Sequence, residues 1–313
     1  MEDTGDVIIE VRDLVKVYGA THAVNGVSFD VREGEVFGLL GENGAGKTTA
    51  LEIIEGLRQP TGGTTRVFGL DSRTDIARIR ERIGVQLQAS AYFEELTLFE
   101  ILDLFGSFYR RHREPEELLS LVNLQGRAQS RVGELSGGMR QRFSLVAALV
   151  NDPELVFFDE PTTGLDPLAR QNIWELIRSI QAAGKTLVLT SHYLEEVESL
   201  CGRVGILKDG ELIALDRVSD LVMTLADPIR VDFLPRTAMS DSTGEFLEKV
   251  GRLERSTRRA GEFTLYLADR DTLKRAIREL DRVDLDRLTV STANLEDVFV
   301  KLTGGTIRVE EES

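Results

Sequence analysis

Apolar and polar residues alternate twice near the start of the chain, over residues 7–12 (VIIEVR) and 27–31 (VSFDV), with VKVYG between them. This period of two predicts strands with one solvated face. Residues 35–40 (EVFGLL) are almost continuously apolar, which predicts a strand buried on both sides. A glycine-rich loop and a helical stretch over 48–57 follow at once, then a turn at Pro60-Thr61-Gly62-Gly63 and a short strand, TTRVFG. From Asp75 to about Asn123 the pattern is mainly helical, with Leu96, Phe99, Ile101, Leu102, Leu104, Phe105 and Phe108 at helical spacing. A further helix is expected after Ser136. Strands at 155–158, 186–190 and 203–207 alternate with helices at 171–182 and 193–200, and Asp209-Gly210 predicts a hairpin turn into ELIAL. The alternation predicts an α/β fold with a largely parallel sheet and an antiparallel edge.

The pattern shifts near Asp227-Pro228. Strand 229–234, helix 241–250, strands 252–257 and 262–268, helix 271–281, strand 286–292 and helix 295–302 follow. The order βαββαβ predicts a small ferredoxin-like α+β domain with a terminal helix. The expected organisation is a first domain over residues 1–225 with a helical subdomain at about 90–150, an accessory domain over 226–305, and an acidic tail over 306–313.

Composition narrows the partners. The formal net charge of −15 opposes binding to phosphate backbones and anionic lipid, so no nucleic-acid partner is expected. The local basic run Arg110, Arg111 and Arg113 reads as a solvated helix end. Cys201 is the only cysteine, which excludes an intramolecular disulfide and fits a reducing compartment. Residues 1–6 carry no secretory pattern, and no run reaches the roughly 20 apolar residues a membrane helix needs. Any work at a membrane therefore needs a partner that supplies the span.

Gly41-Glu42-Asn43-Gly44-Ala45-Gly46-Lys47-Thr48 fits the phosphate-loop pattern and stands between a buried strand and a helix. Its glycines let the backbone turn several N–H groups inward, and the helix points its positive end at the same spot. Lys47 would neutralise the β- and γ-phosphates, the Thr48 hydroxyl would ligate Mg²⁺, and Thr49 can add a contact to a phosphate further back. In LVFFDE, four apolar residues bury a strand and place Asp159 at its end, where a carboxylate can hold the Mg²⁺ shell. Glu160 follows as the natural general base for an attacking water. ATP and Mg²⁺ are the expected cofactors.

Leu135-Ser136-Gly137-Gly138-Met139-Arg140-Gln141-Arg142 lies between these two motifs and resembles the signature sequence of ATP-binding cassette (ABC) ATPases. Met139 departs from the family, where glutamine is commonest. The resemblance covers about residues 7–222, with every motif in family order, and implies several roles. Ser136, Gly137 and Gly138 would meet the γ-phosphate of ATP held by an opposite subunit. Tyr18 resembles the aromatic that stacks on adenine. Gln88, favoured over Gln86 by its spacing after Ile83-Gly84, resembles the glutamine that senses Mg²⁺ and the membrane partner. Asp166 resembles the acidic residue linking the two nucleotide sites, and its position before Pro167 also suits a helix cap. His192, after a strand end, resembles the histidine that contacts the γ-phosphate. The family implies a head-to-tail dimer that closes on ATP and drives an integral-membrane permease through a groove lined by residues 89–98. It would then sit in the cytoplasm, held to the inner face of the cell membrane by that permease.

Leu295-Glu296-Asp297-Val298-Phe299-Val300, followed by Leu302-Thr303-Gly304, resembles the terminal motif of drug-resistance exporters of the daunorubicin type, and IGVQLQ and LSGGMRQR are similar to that branch. Export of drugs, lipids or other hydrophobic compounds is what this implies. The same helix could equally pack Leu295, Val298, Phe299 and Leu302 against its own sheet. Two other readings stand beside transport: a soluble ABC ATPase acting on ribosomes or DNA, and an ATPase whose C-terminal domain senses a ligand.

Overall fold

In the computed structural model, which describes residues 5–86, 92–255 and 261–303, the first strand is longer than the alternation predicts. β1 (Val7–Tyr18) runs through VKVYG and forms an antiparallel hairpin with β2 (Thr21–Arg32). A register shift between Val11 and Leu14, both fully buried, brings two core residues three positions apart. Asp13 sits in that bulge at φ +47°. The bulge breaks the period of two, so one strand reads as two in the sequence.

The chain divides into two compact units, Met1–Asp216 and Arg217–Ser313. In the first, β3 (Val36–Leu40) leads into α1 (Lys47–Ile54), followed by β4 (Gly62–Val67), β5 (Leu70–Asp71), α2 (Ile76–Arg80) and β6 (Ile83–Gln86). Helices α3 (Leu98–Gly106), α4 (Pro115–Leu121) and α5 (Gly137–Ala147) come next. The remainder is β7 (Leu155–Asp159), α6 (Pro167–Ala182), β8 (Thr186–Ser191), α7 (Leu194–Leu200), β9 (Arg203–Lys208) and β10 (Glu211–Arg217).

Two sheets form: the expected largely parallel one, with the hairpin strand β10 at its edge, and a separate antiparallel one. β2-β1-β4-β5 is an antiparallel sheet of its own, and β10-β9-β3-β8-β7-β6 is the second, parallel from β9 to β6. They share a core: Phe29 of β2 stacks on Phe37 of β3 at 5.2 Å, and Leu51, Ile53 and Ile54 of α1 join the same cluster. β6 corrects the mainly helical reading of residues 75–123. Four residues are too few to show a period, and the strand exists because β7 satisfies its backbone groups. α3 does form where the apolar spacing places it, opened by a capping box between Thr97 and Glu100.

The parallel order decides where chemistry collects. Leu40 lies opposite Ser191, and Asp159 opposite Thr190. The C-terminal ends of β3, β7 and β8 therefore stand side by side, as in other open α/β sheets that bind ligands at that edge.

In the second unit α8 (Val218–Met223) precedes β11 (Ile229–Pro235), α9 (Asp241–Val250), β12 (Arg252–Arg255), β13 (Phe263–Leu267), α10 (Arg270–Leu280), β14 (Leu285–Thr292) and α11 (Leu295–Thr303). The sheet order is β12-β13-β11-β14, antiparallel throughout. β13 is inserted between β11 and β12, the split βαβ arrangement that the order of elements predicts. Leu247, Ala276 and Leu280 of the helices close over Val231, Phe233, Leu265 and Leu267 of the sheet.

Candidate nucleotide-binding site

The loop from Gly41 to Gly46 needs glycine at both ends. A Cβ on Gly46, at φ +100°, would lie 2.2 Å from the Ala23 carbonyl oxygen. One on Gly41 would lie 2.5 Å from the Leu207 carbonyl oxygen. The loop is pressed between β2 and the end of β9, and only backbone without side chains fits. Asn43, Gly44 and Glu42 are exposed at its crown, and Ala45 is buried beneath. Lys47 Nζ donates to the carbonyls of Gly41 at 2.8 Å and Glu42 at 3.1 Å, so the loop folds around its own ammonium.

Glu160 faces this lysine, and further groups gather around Glu160 and Asp159. Glu160 Oε1 is 3.6 Å from Lys47 Nζ, with both side chains under a tenth exposed. His192 Nδ1 lies 3.2 Å from the same oxygen, in ion-pair range and short of an aligned hydrogen bond. Thr163 Oγ1 donates to Glu160 Oε2 at 3.2 Å. Thr48 Oγ1 donates to Asp159 Oδ1 at 3.3 Å, and Thr190 Oγ1 donates to the same oxygen. Glu160 itself is held at φ +50°, a left-handed conformation that costs a non-glycine residue about 1 kcal/mol or more. Its N–H bonds to both the carbonyl and the hydroxyl of Thr190.

The electrostatics separate two adjacent carboxylates. His192, with help from Lys47 and Thr163, holds Glu160 below the usual range despite partial burial. Burial pushes Asp159 upward, against the hydrogen bonds from Thr190 and Thr48. Burial also lowers Lys47, and Glu160 offsets part of that. Glu160 is thus favoured in its ionised form, the state that a general base requires. Thr48 and Asp159 present hydroxyl and carboxylate oxygens together. This hard donor pair fits Mg²⁺, which takes few protein ligands and completes its shell with phosphate and water. Among the described residues no group of three or more His, Cys, Asp or Glu side chains could hold a metal alone.

The other expected residues lie elsewhere. Thr49 is half-buried on the first turn of α1. Tyr18 is 42% exposed at the tip of the β1–β2 hairpin, with Lys16 and Arg58 at 5.0 and 5.7 Å from its ring. Ser136 is the exposed N-cap of α5, accepting from the Met139 N–H at 3.3 Å, with Gly137 and Gly138 opening the helix. Asp166 is the N-cap of α6, accepting from the Ala169 N–H at 2.8 Å. Both caps bond to their own helices. Gln88 lies outside the described residues; Gln86 is buried at the end of β6, beside Phe158.

Three further residues hold the site's elements together. Thr190 fastens Asp159 and the Glu160 backbone at once. Gln141 of α5 donates to the Pro161 carbonyl at 2.7 Å, tying the signature helix to the segment after Glu160. Glu196, fully buried, accepts from Thr162 at 2.8 Å and from the Trp174 indole at 3.2 Å. The terminal motif is also placed: Leu295, Val298 and Phe299 are buried and Leu302 is 41% exposed. Asp297 accepts from Arg230 at 3.1 Å and from the Tyr266 hydroxyl at 2.9 Å.

A glycine loop between a parallel strand and a helix, faced by an acidic strand end, defines a P-loop NTPase. Residues 24–163 match the family model described as ABC transporter. Over 302 residues the chain is 38% identical to a Burkholderia lata protein named Nod factor export ATP-binding protein I, spanning 95% of this chain and 97% of that one. A solved structure of an ATP binding subunit of an ABC transporter superposes with a TM-score of 0.64 at 32% identity, covering 69% of this chain and 92% of that one. An ATP-binding cassette whose dimeric structure holds ADP and Pi in a post-hydrolysis state gives 0.62 at 27% identity, covering 67% and 98%. The chain belongs to the ABC transporter family, as an ATP-binding subunit with ATPase function.

Proposed function

We propose that this chain is the ATPase of an exporter, that it works as a homodimer with MgATP between the subunits, and that it energises a separate permease. The observation that carries the reading is a division of labour within one chain. Lys47, Thr48, Asp159, Glu160 and His192 are gathered at one sheet edge, while the exposed cap Ser136 bonds only to its own helix. A helix N-terminus left open with a serine and two glycines is a second phosphate cradle. A second copy, placed head to tail, would complete each site.

In this scheme the loop N–H groups and Lys47 hold the β- and γ-phosphates. Thr48 and Asp159 hold Mg²⁺, which supplies neutralising charge to those phosphates. Glu160 accepts a proton from the attacking water, and His192 fixes the carboxylate and reaches the γ-phosphate. Tyr18 stacks on adenine. Ser136, Gly137 and Gly138 reach the partner's nucleotide, and Asp166 borders the junction of the two sites.

No helix among the described residues is long and apolar enough to cross a membrane; in this proposal a separate permease supplies the span and this chain works at its cytoplasmic face. The name of the Burkholderia lata relative contains export, and the terminal motif resembles that of drug exporters; both support outward transport of hydrophobic compounds. The test is to purify the chain from gently solubilised membranes. Recovery of an integral-membrane subunit is expected, and recovery only with ribosomes or DNA would overturn the reading.

A further inference from the structure

Helix α7 carries Glu196 on its first turn, and the side chain is fully buried. Taking a carboxyl group out of water is costly unless hydrogen bonds replace the lost hydration. Here two donors reach one oxygen. Thr162 Oγ1 donates to Glu196 Oε1 at 2.8 Å, and Trp174 Nε1 donates to it at 3.2 Å. Burial still holds the acid above its ordinary range, with its donors and the charge of Arg170 acting the other way. An apolar side chain would avoid that cost, but it could accept neither bond.

The two donors belong to different elements. Trp174 lies in α6, and Thr162, also fully buried, lies in the segment that leads from Glu160 to α6. One carboxyl group therefore fastens that segment to two helices. The segment is tightly bent: Glu160 has φ +50°, the Thr163 N–H donates to the Glu160 carbonyl at 3.3 Å, and the Leu165 N–H donates to the Thr162 carbonyl at 3.2 Å. Thr163 also donates its hydroxyl to Glu160 Oε2 at 3.2 Å. A shift of Thr162 carries Thr163 with it, because a single planar peptide unit joins them. The other carboxylate oxygen is reached through the start of α7. Arg170 of α6 lies 4.4 Å from the Tyr193 ring, that ring lies 4.1 Å from the His192 ring, and His192 Nδ1 stands 3.2 Å from Glu160 Oε1. Both oxygens of Glu160 are thus reached from the place where α6 packs on α7, and Glu196 is buried at that junction.

We propose that Glu196 is a positioning residue for hydrolysis: by accepting from Thr162 it fixes the segment that aims the Glu160 carboxylate. The proposal rests on the reading of Glu160 as the base. Glu196 acts through Thr162 and Thr163, and what the role requires at Oε1 is an acceptor, not a charge.

The test is steady-state ATPase kinetics of the full chain, with ATP affinity measured by calorimetry and folding by thermal melting. Thr162→Val nearly keeps the side chain's shape and removes its bond to Glu196. It should lower kcat by about tenfold or more and leave ATP affinity within about twofold, as a loss of alignment does. Glu196→Ala should show the same split, and Glu196→Gln, whose amide oxygen accepts both bonds, should restore kcat. Trp174→Phe removes only the other bond, so it should lower Tm and leave kcat unchanged. Wild-type kcat in Thr162→Val, an equal fall in Trp174→Phe, or a Glu196→Gln chain as slow as Glu196→Ala overturns the proposal. In a Glu160→Gln background, Thr162→Val should change the residual rate by less than about twofold, because misaligning an absent base costs nothing further. Full additivity there overturns the proposal alone. Normal turnover by Glu160→Gln itself overturns the reading of the base, and the proposal with it.

Discussion

Lys47 Nζ and Glu160 Oε1 face each other at 3.6 Å, each side chain less than a tenth exposed. The lysine proposed to grip phosphate and the carboxylate proposed to activate water thus share one desolvated space, and each moderates the other's charge. Removing either should have a different signature. Glu160→Gln keeps shape and hydrogen bonding and removes the base, so turnover should fall by about 100-fold or more while ATP binding persists. ATP-dependent dimers should then accumulate on size-exclusion chromatography. Lys47→Ala should instead weaken nucleotide binding itself by about 10- to 100-fold, the worth of one charge-assisted bond. Normal hydrolysis by the Glu160→Gln chain would show that the base lies elsewhere.

Ser136 offers a cleaner separation of folding from function. Aspartate caps a helix as well as serine does, so Ser136→Asp should leave thermal stability nearly unchanged. Its negative charge should repel the partner's γ-phosphate and abolish ATP-driven dimerisation, read by light scattering. Ser136→Ala should do the reverse in part, losing about 1 kcal/mol of cap energy while keeping measurable ATPase activity.

Glu55 predicts a pH dependence of stability. Its folded value, about 8, lies above the ordinary value of 4.5. Folding therefore takes up a proton between these limits, and stability falls as pH rises through that window. Glu55→Gln lacks the slope. The variant should match the wild type in urea unfolding near pH 4, exceed it increasingly up to about pH 8, and gain nothing further above that. A constant difference across the range would mean that Glu55 is already ionised in the folded chain.

The terminal motif is anchored by a buried charge pair, Arg230 with Asp297, at 9% and 3% side-chain exposure. Arg230→Met leaves Asp297 buried without its counter-ion and should cost the second unit about 3–5 kcal/mol. Hydrogen exchange over residues 229–303 measures the loss. Adding Asp297→Leu should restore most of it, because an apolar pair of similar volume tolerates burial better than a lone charge.

Much of the site was legible because its parts are short and local. The phosphate loop is eight consecutive residues, and Asp159 and Glu160 close a run of four apolar ones; each motif carries its own strand and helix context. The βαββαβ order of the second unit was legible for the same reason, since each element shows its own period. Asp166 and Ser136 were readable as caps, a role fixed within three residues.

What the sequence could not show is set by contacts between distant segments. The bulge at Asp13 hides one strand as two, and β6 exists through its pairing with β7. The split into two sheets follows from which strands find each other, and no single strand encodes that. Thr190, Gln141 and Glu196 act through partners 20 to 34 positions away. Glu55, in the sequence, is an ordinary acid at a helix end; only the folded chain buries it and leaves its Oε1 without a hydrogen-bond partner. Local chemistry was written in order along the chain, while burial and juxtaposition, which set charge states, arise only when the sheet brings its strand ends together.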